Sequence, residues 1–341
     1  MAQYEIKILD TEETVLTQDR LSVLDACLEE GINFPYNCRS GECGECLVRL
    51  VSGQVKELPG ADPAIFNDSN RARGEILACM CYPESNLELS LPATSASSDF
   101  APVGQHEGRI SAINRLQPTI YEVVVDVDWG LDYSPGQYFD WQIPGISPDR
   151  SYSAANLAGE GRVVFHVKVH DGGQVSNYLQ HGGLCPGDSL TLKGPYGRFG
   201  LSENTDRPAI MVAGGTGLAP IMALLEENFS RSLKRPITLF FGGRSPAELY
   251  HLDRLHQWSE RYPYFKLIAC VQEAGADANW KGATGLVTDI LRQTMIDGFG
   301  HEAYLCGPPG MIDAASKLLT HLGLDEADIH SDSFIPVAQV A

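Results

Sequence analysis

Three regimes of hydrophobic patterning follow one another along the chain. Near the N-terminus, apolar and polar residues alternate in Tyr4-Glu5-Ile6-Lys7-Ile8, the period of a half-buried strand. Thr17 to Arg20 reads as a turn, and Ser22 ahead of Val23-Leu24-Asp25-Ala26-Cys27-Leu28 reads as a serine-capped helix. Leu47 to Val51 and Leu87 to Leu91 supply further strands of a small α+β segment. From about 103 to 202, short apolar runs (Thr119 to Val125, Val163 to Val169, Ser189 to Lys193) are punctuated by Gly and Pro, as in an antiparallel barrel. From about 207 the pattern becomes strand–helix alternation, with strands at Ala209–Ala213, Ile237–Gly242, Lys266–Val271 and Glu302–Gly307. That alternation predicts a parallel α/β sheet. Pro92 to Asp99, small and polar, reads as a linker. The expected domains are 1–95, 103–203 and 207–341.

The first segment carries the most specific chemistry. Cys38, Cys43 and Cys46 stand in Cys-x4-Cys-x2-Cys spacing, and Cys79 follows after a long gap. This is the spacing with which four thiolates hold a plant-type 2Fe–2S cluster. Gly41 and Gly44 allow the backbone to wrap so that its amides approach the sulfurs. A structural zinc site is the competing reading, but such sites usually pair two Cys-x2-Cys hairpins and one is present. Residues 1–95 resemble plant-type ferredoxins, which implies a β-grasp fold. In that family the first Cys after the Leu is the ligand, which selects Cys79 over Cys81; Cys27 and Cys81 then read as small buried residues.

Charge and cysteine usage narrow the class. The net charge of −19 disfavours nucleic acid and anionic membranes as partners. Residues 1–95 hold sixteen acidic and seven basic side chains. Either plain solubility or an acidic face that steers docking to a basic protein explains that balance. Nine cysteines could suggest a secreted disulfide framework. The N-terminus, however, lacks a basic and apolar leader, no run is long enough to span a bilayer, and four cysteines have a metal role. A reducing, cytoplasmic protein is expected.

In the middle segment, Arg150-Ser151-Tyr152-Ser153 ends a strand. Alternation puts Arg150 and Tyr152 on one face, Ser151 and Ser153 on the other. A guanidinium can clamp a phosphate, an aromatic ring can pack on a flavin, and a hydroxyl can bond the flavin N5. Gly172-Gly173-Gln174-Val175-Ser176 then enters a helix whose free amides suit a pyrophosphate. Together these resemble the FAD domain of the ferredoxin–NADP reductase superfamily. The resemblance implies that Arg150 and the amides near Gly173, Val175 and Ser176 hold the FAD pyrophosphate. It implies that Tyr152 lines the ring, that Ser153 approaches N5, and that the strand carrying His166, Val167 and Lys168 runs beside the cofactor. A solvated strand face is the plainer reading for His166 and Lys168.

In the third segment, Ala213-Gly214-Gly215-Thr216-Gly217 follows a strand and enters a helix, while Cys306-Gly307-Pro308-Pro309-Gly310 follows the last apolar strand. Ligands collect at that carboxyl edge in open α/β sheets. The two loops resemble the nicotinamide half of the same superfamily, which implies Gly214 to Gly217, Gly307 and Pro308 at the nucleotide and Cys306 near its reacting carbon. Where NADPH relatives place a Ser–Arg pair, this chain has Gln272-Glu273. A carboxylate repels a 2′-phosphate and accepts a ribose hydroxyl, so NADH is favoured; Arg244 is the one contrary feature. Phe334, two residues after Asp332, matches the terminal aromatic that covers the flavin or nicotinamide pocket in the family.

The order ferredoxin, FAD barrel, NAD domain resembles the reductase components of bacterial multicomponent oxygenases. Arg150-Ser-Tyr-Ser-Ala-Ala-Asn156 and Tyr304-Leu-Cys-Gly-Pro-Pro-Gly-Met-Ile-Asp-Ala-Ala315 look most like the di-iron monooxygenase reductases. The implied function is electron transfer from NADH through FAD and a 2Fe–2S cluster to a di-iron oxygenase component, by a monomer. Two alternatives are the reductase of a Rieske ring-hydroxylating dioxygenase and a non-enzymatic flavin and iron–sulfur redox sensor. Ser153, Cys306 and Phe334 are the expected catalytic residues.

Overall fold

The structure is a computed structural model that describes residues 3–18, 20–92, 101–202, 206–275 and 280–335. The expected linker lies outside the described residues beyond Pro92. The chain divides into two compact units. The first runs through Gly104 and takes in Pro195–Arg198 and Ile335; the second comprises Gln105–Gly194 and Phe199–Phe334.

The first unit contains β1 (Gln3–Ile8), β2 (Thr14–Gln18), α1 (Val23–Glu29), β3 (Leu47–Ser52), β4 (Val55–Glu57), α2 (Asp68–Ala72), β5 (Glu75–Leu77), β6 (Cys81–Pro83) and β7 (Leu87–Ser90). Five strands form a sheet in the order β2-β1-β7-β3-β5, and β4 pairs with β6 apart from it. The first and last strands, β1 and β7, are parallel neighbours, while β2, β3 and β5 join antiparallel. The alternation in β1 buries Ile6 and Ile8 and exposes Glu5 and Lys7. Ser22 caps α1, its Oγ accepting from the Asp25 amide at 3.0 Å, a contribution of about 1 kcal/mol. The turn expected at Thr17 starts later. Thr17 and Gln18 remain in β2, because they pair with Tyr4 and Gln3. A polar residue that completes a ladder stays extended whatever its turn preference.

The second unit opens with the barrel strands β8 (Gly104–Gln117), β9 (Ile120–Asp126), β10 (Tyr138–Gln142), β11 (Arg150–Ser153) and β12 (Arg162–Lys168). Helix α3 (Gln174–Gln180) and β13 (Ser189–Tyr196) follow. Their order is β11-β10-β13-β8-β9-β12, and a bridge between Ala154 and Phe165 links the two ends. The core is aromatic: Phe139 and Trp141 each meet Phe165 edge to face, at 6.2 and 5.2 Å between ring centres. β8 did not stand out in the sequence because most of its residues are polar or half-exposed.

The remaining elements are β14 (Ala209–Gly214), α4 (Leu218–Ser230), β15 (Ile237–Gly243), α5 (Leu252–Arg261), β16 (Phe265–Val271), β17 (Ala283–Thr284), α6 (Val287–Thr294), β18 (Glu302–Gly307), α7 (Pro309–His321) and β19 (Ile329–Ser333). They form a parallel sheet in the order β17-β16-β15-β14-β18-β19. β14 and β18 are buried at every residue; β14 therefore reads as an unbroken apolar run, and β18 as one that opens on a buried Glu302. Separate apolar clusters pack on the sheet, one around Met211, Leu225 and Phe241, the other around Val212, Phe240 and Leu319. Because the strands are parallel, the loops after β14, β15 and β18 emerge at one edge. There the two glycine motifs meet.

Candidate functional site

The cysteine loop of the first unit is shaped by positive φ. Gly41 and Gly44 have φ of +83° and +76°, and Arg39 has +57°. A Cβ on Gly44 would come within 2.9 Å of Ile65, so both conformation and space demand glycine. The wrapped loop gathers the thiols. The Sγ atoms of Cys46 and Cys79 lie 3.2 Å apart although 33 residues separate them. The Cys43 thiol hydrogen-bonds Cys38 and, despite burial, holds it down at about 5; amides of Ser40 and Glu42 assist. The Cys79 thiol is pushed well up by its bond to Cys46 and by burial, with the Cys38 charge adding to this, while the Gly41 amide faces it. Thiols gathered in one loop, with amides directed at sulfur, are a donor set suited to an iron–sulfur cluster. Cys81 is fully buried and pushed up to about 12, chiefly by burial, and Cys27 likewise.

In the barrel, β10 and β11 pair so that Tyr152 faces Phe139 in register and Arg150 faces Trp141. The Tyr152 ring tilts against Trp141 at 4.5 Å. Ser151 donates to Asp140 at 2.6 Å, and Ser153 is buried beside Tyr138 in register. Arg150 reaches the Pro148 carbonyl and, at 3.3 Å, the Gln174 side chain at the start of α3. The guanidinium is thereby brought to the Gly172–Gln174 turn. Val175 is buried, and the Ser176 hydroxyl accepts from the His170 amide at 2.8 Å, which leaves that hydroxyl engaged. A Cβ on Gly173 would strike Ser176 Oγ at 2.7 Å.

His166 and Lys168 leave the same strand in the direction of the parallel sheet. His166 is buried, its Nδ1 3.0 Å from the Tyr250 hydroxyl. Burial, with the charge of His251, drives its pKa down to about 3, so the ring is neutral. The Lys168 ammonium lies 3.7 Å from Glu248 and would be 4.0 Å from a Cβ on Gly215. The barrel strand and the first nucleotide loop are therefore neighbours.

At the sheet edge Gly215 has φ +57° and opens a short 3-10 turn through Gly217, with Thr216 between them. Ala213 pairs with Cys306, and Cys306 with Asp332. A Cβ on Gly214 would meet Met311 Sδ at 2.7 Å and Pro308 Cδ at 3.0 Å. Gly307 has φ +143° and its carbonyl accepts from the Phe334 amide at 2.9 Å. Cys306 is fully buried; burial and the Asp332 carboxylate raise its pKa well above an ordinary thiol. Phe334 is half-buried against the core that includes Cys306. Thus the two loops and Phe334 lie together at this edge of the sheet.

Sequence reasoning missed Glu248. It accepts from the Arg244 side chain at 2.8 Å and from the Arg244 amide at 3.0 Å, while Lys168 approaches from the barrel. Burial pushes its carboxyl up, but the Arg244 hydrogen bonds and the Lys168 charge outweigh that and hold it below the usual range. The Glu273 amide donates to the Arg244 carbonyl at 3.0 Å. Ser245-Pro246-Ala247-Glu248 has the form of a capping box, the signal that marks Glu248 in the sequence.

Three family descriptions match the chain in order. They are the 2Fe-2S iron-sulfur cluster binding domain over 6–84, the oxidoreductase FAD-binding domain over 118–200 and the oxidoreductase NAD-binding domain over 211–317. The chain is 37% identical over 318 residues to the xylene/toluene monooxygenase electron transfer component of Pseudomonas putida, covering 92% of this chain and 88% of the relative. It is 34% identical over 342 residues to the reductase component of phenol 2-monooxygenase from Pseudomonas sp. strain CF600, covering 99% and 96%. Among solved structures, a cytochrome P450 reductase of Amycolatopsis superposes with a TM-score of 0.86 at 28% identity, covering 98% of this chain and 99% of that one. Among the described residues no helix is long and apolar enough to cross a membrane. With 2Fe–2S, FAD and NAD domains in this order, the chain belongs to the electron-transfer reductase components of multicomponent oxygenases.

Proposed function

We propose that this reductase serves a di-iron monooxygenase and prefers NADH to NADPH, acting as a cytoplasmic monomer. The observation that carries the partner class is the end-to-end match to the phenol 2-monooxygenase reductase, 99% of one chain on 96% of the other. When bound, the FAD accepts a hydride from NADH and yields its electrons singly to the 2Fe–2S cluster.

The residues divide that work. Cys38, Cys43, Cys46 and Cys79 hold the irons, and the amides of Ser40, Gly41 and Glu42 offset sulfur charge. Arg150 and the amides at Gly173, Val175 and Ser176 hold the FAD pyrophosphate. Tyr152 lines the flavin, Ser151 is fixed by Asp140, and Ser153 approaches N5. The strand carrying His166, Val167 and Lys168 borders the cofactor, with His166 Nδ1 held by the Tyr250 hydroxyl. Gly214, Gly215, Thr216, Gly217, Gly307 and Pro308 receive the nicotinamide nucleotide; Cys306 stands at its reacting carbon, and Phe334 covers the pocket. Glu273 accepts a ribose hydroxyl. Arg244, neutralised by Glu248, offers little to a 2′-phosphate.

Capture of the partner from source-cell lysate, followed by iron and acid-labile sulfide analysis, tests the partner class. Iron without labile sulfide supports the di-iron reading. Iron with sulfide and a Rieske-type spectrum overturns it in favour of a ring-hydroxylating dioxygenase.

A further inference from the structure

Away from the thiols and the nucleotide loops, three side chains converge where the barrel meets the parallel sheet. Glu122 lies on β9 and His166 opposite it on β12, while His251 caps the start of α5. One ligand atom from each lies within 4.8 Å of the other two. Glu122 Oε2 is 3.5 Å from His251 Nε2 and 4.0 Å from His166 Nε2.

Each residue is arranged so that the atom facing the centre is left over. Glu122 spends Oε1 on the Asn114 amide at 3.0 Å, which leaves Oε2 for the cluster. His166, whose side chain is only 2% exposed, spends Nδ1 on the Tyr250 hydroxyl at 3.0 Å, which fixes the ring with Nε2 inward. His251 Nε2 is buried and meets the Glu122 carboxylate at 3.5 Å, a long contact that falls short of a well-formed hydrogen bond. His251 also sits at φ +54°, in the left-handed region.

We propose that Glu122, His166 and His251 bind a divalent ion of the zinc class. Two imidazoles and one carboxylate are a common zinc donor set, leaving a fourth position open. Zinc bonds of about 2.0–2.1 Å place tetrahedral ligand atoms about 3.3 Å apart. The observed separations therefore close by small side-chain movements. Tyr250 and Asn114 are the outer hydrogen bonds that orient ligating groups. Burial of His166 excludes hard, water-retaining cations such as magnesium, whose preferred ligands are oxygens. Glu122 and His166 come from the barrel and His251 from the nucleotide-binding sheet, so the ion cross-links the two lobes of one compact unit.

The test uses the intact reductase with FAD and iron at full content, titrated with zinc against a competing chelator. His251→Asn, which tolerates positive φ, and Glu122→Gln serve as variants. The expected result is one zinc per chain in addition to iron, at least tenfold weaker binding in each variant, and zinc anomalous scattering centred among the three side chains. At zinc a hundredfold above its dissociation constant, the flavin-reported melting temperature rises by roughly 5 °C in the parent and not in the variants. If both variants retain FAD and iron and bind zinc as the parent does, or if the parent binds none, the proposal is wrong.

Discussion

A methyl group at Gly217 would stand 2.2 Å from the carbonyl oxygen of Cys306. The loops after β14 and β18 are in contact through backbone at that point, and neither can yield without moving a buried strand. Gly217→Ala is expected to separate them and to raise the KM for NADH at least tenfold, since displacements near 1 Å at a reacting centre cost about a hundredfold. Ferricyanide reduction by the FAD-replete variant measures this; an unchanged KM means that the loops do not shape the nucleotide site.

The two cysteines of Cys79-Met80-Cys81 should behave oppositely. Cys79 lies against Cys46, whereas Cys81 is an inert buried thiol. Cys79→Ser is expected to lose the cluster and with it cytochrome c reduction, while NADH-driven ferricyanide reduction through FAD continues. Cys81→Ser should keep its iron and acid-labile sulfide. Iron analysis of the two proteins decides, and cluster loss from the second alone would reverse the ligand assignment.

Nucleotide preference should respond to the carboxylates around Arg244. Glu248→Gln frees its guanidinium, and Glu273→Ser removes a negative charge in the adjoining loop. The double variant is expected to gain about tenfold in kcat/KM for NADPH, equivalent to about 1.4 kcal/mol, with NADH changed by less than about threefold. Steady-state kinetics with both nucleotides checks it. No gain with NADPH would remove Glu248 from any role in selection.

Beneath the parallel sheet, Arg235 donates to Glu302 at 2.8 Å, with both side chains almost completely buried. Glu302→Ala leaves the cation without its carboxylate, at an expected cost of about 3–5 kcal/mol. Replacing the pair together, Arg235→Met with Glu302→Leu, should recover most of that loss. Thermal melting followed by flavin fluorescence compares the three proteins, and equal melting of the single and double variants would show that the charge is not the cause.

How legible this was in the sequence depended on the type of interaction. The cysteine loop was readable because its chemistry is local: Cys38, Cys43 and Cys46 lie on one turn of chain, and Gly41 and Gly44 mark its conformation. β14 was readable because complete burial removes every polar residue, and β18 because only Glu302 and the Tyr304 hydroxyl interrupt its apolar run. β8 and β19 were not, since an edge or half-exposed strand carries polar residues that periodicity passes over. Long-range polar partners were the least visible. Glu122 and His251 are 129 residues apart in sequence, and nothing in their local patterns joins them. Glu248 leaves a trace only as a Ser-x-x-Glu pattern, which points to backbone capping; in the structure Ser245 makes no capping bond and Glu248 instead meets Arg244 and Lys168.

The 3.2 Å approach of Cys46 to Cys79 has a consequence for the life of the polypeptide. With both as ligands, the cluster acts as a clasp on a loop of 33 residues, and a covalent cross-link closing such a loop is worth about 4 kcal/mol in chain entropy. That is a large part of the stability of a small domain. Iron starvation or oxidative loss of the cluster would thus loosen the very segment that delivers electrons and open it to proteolysis.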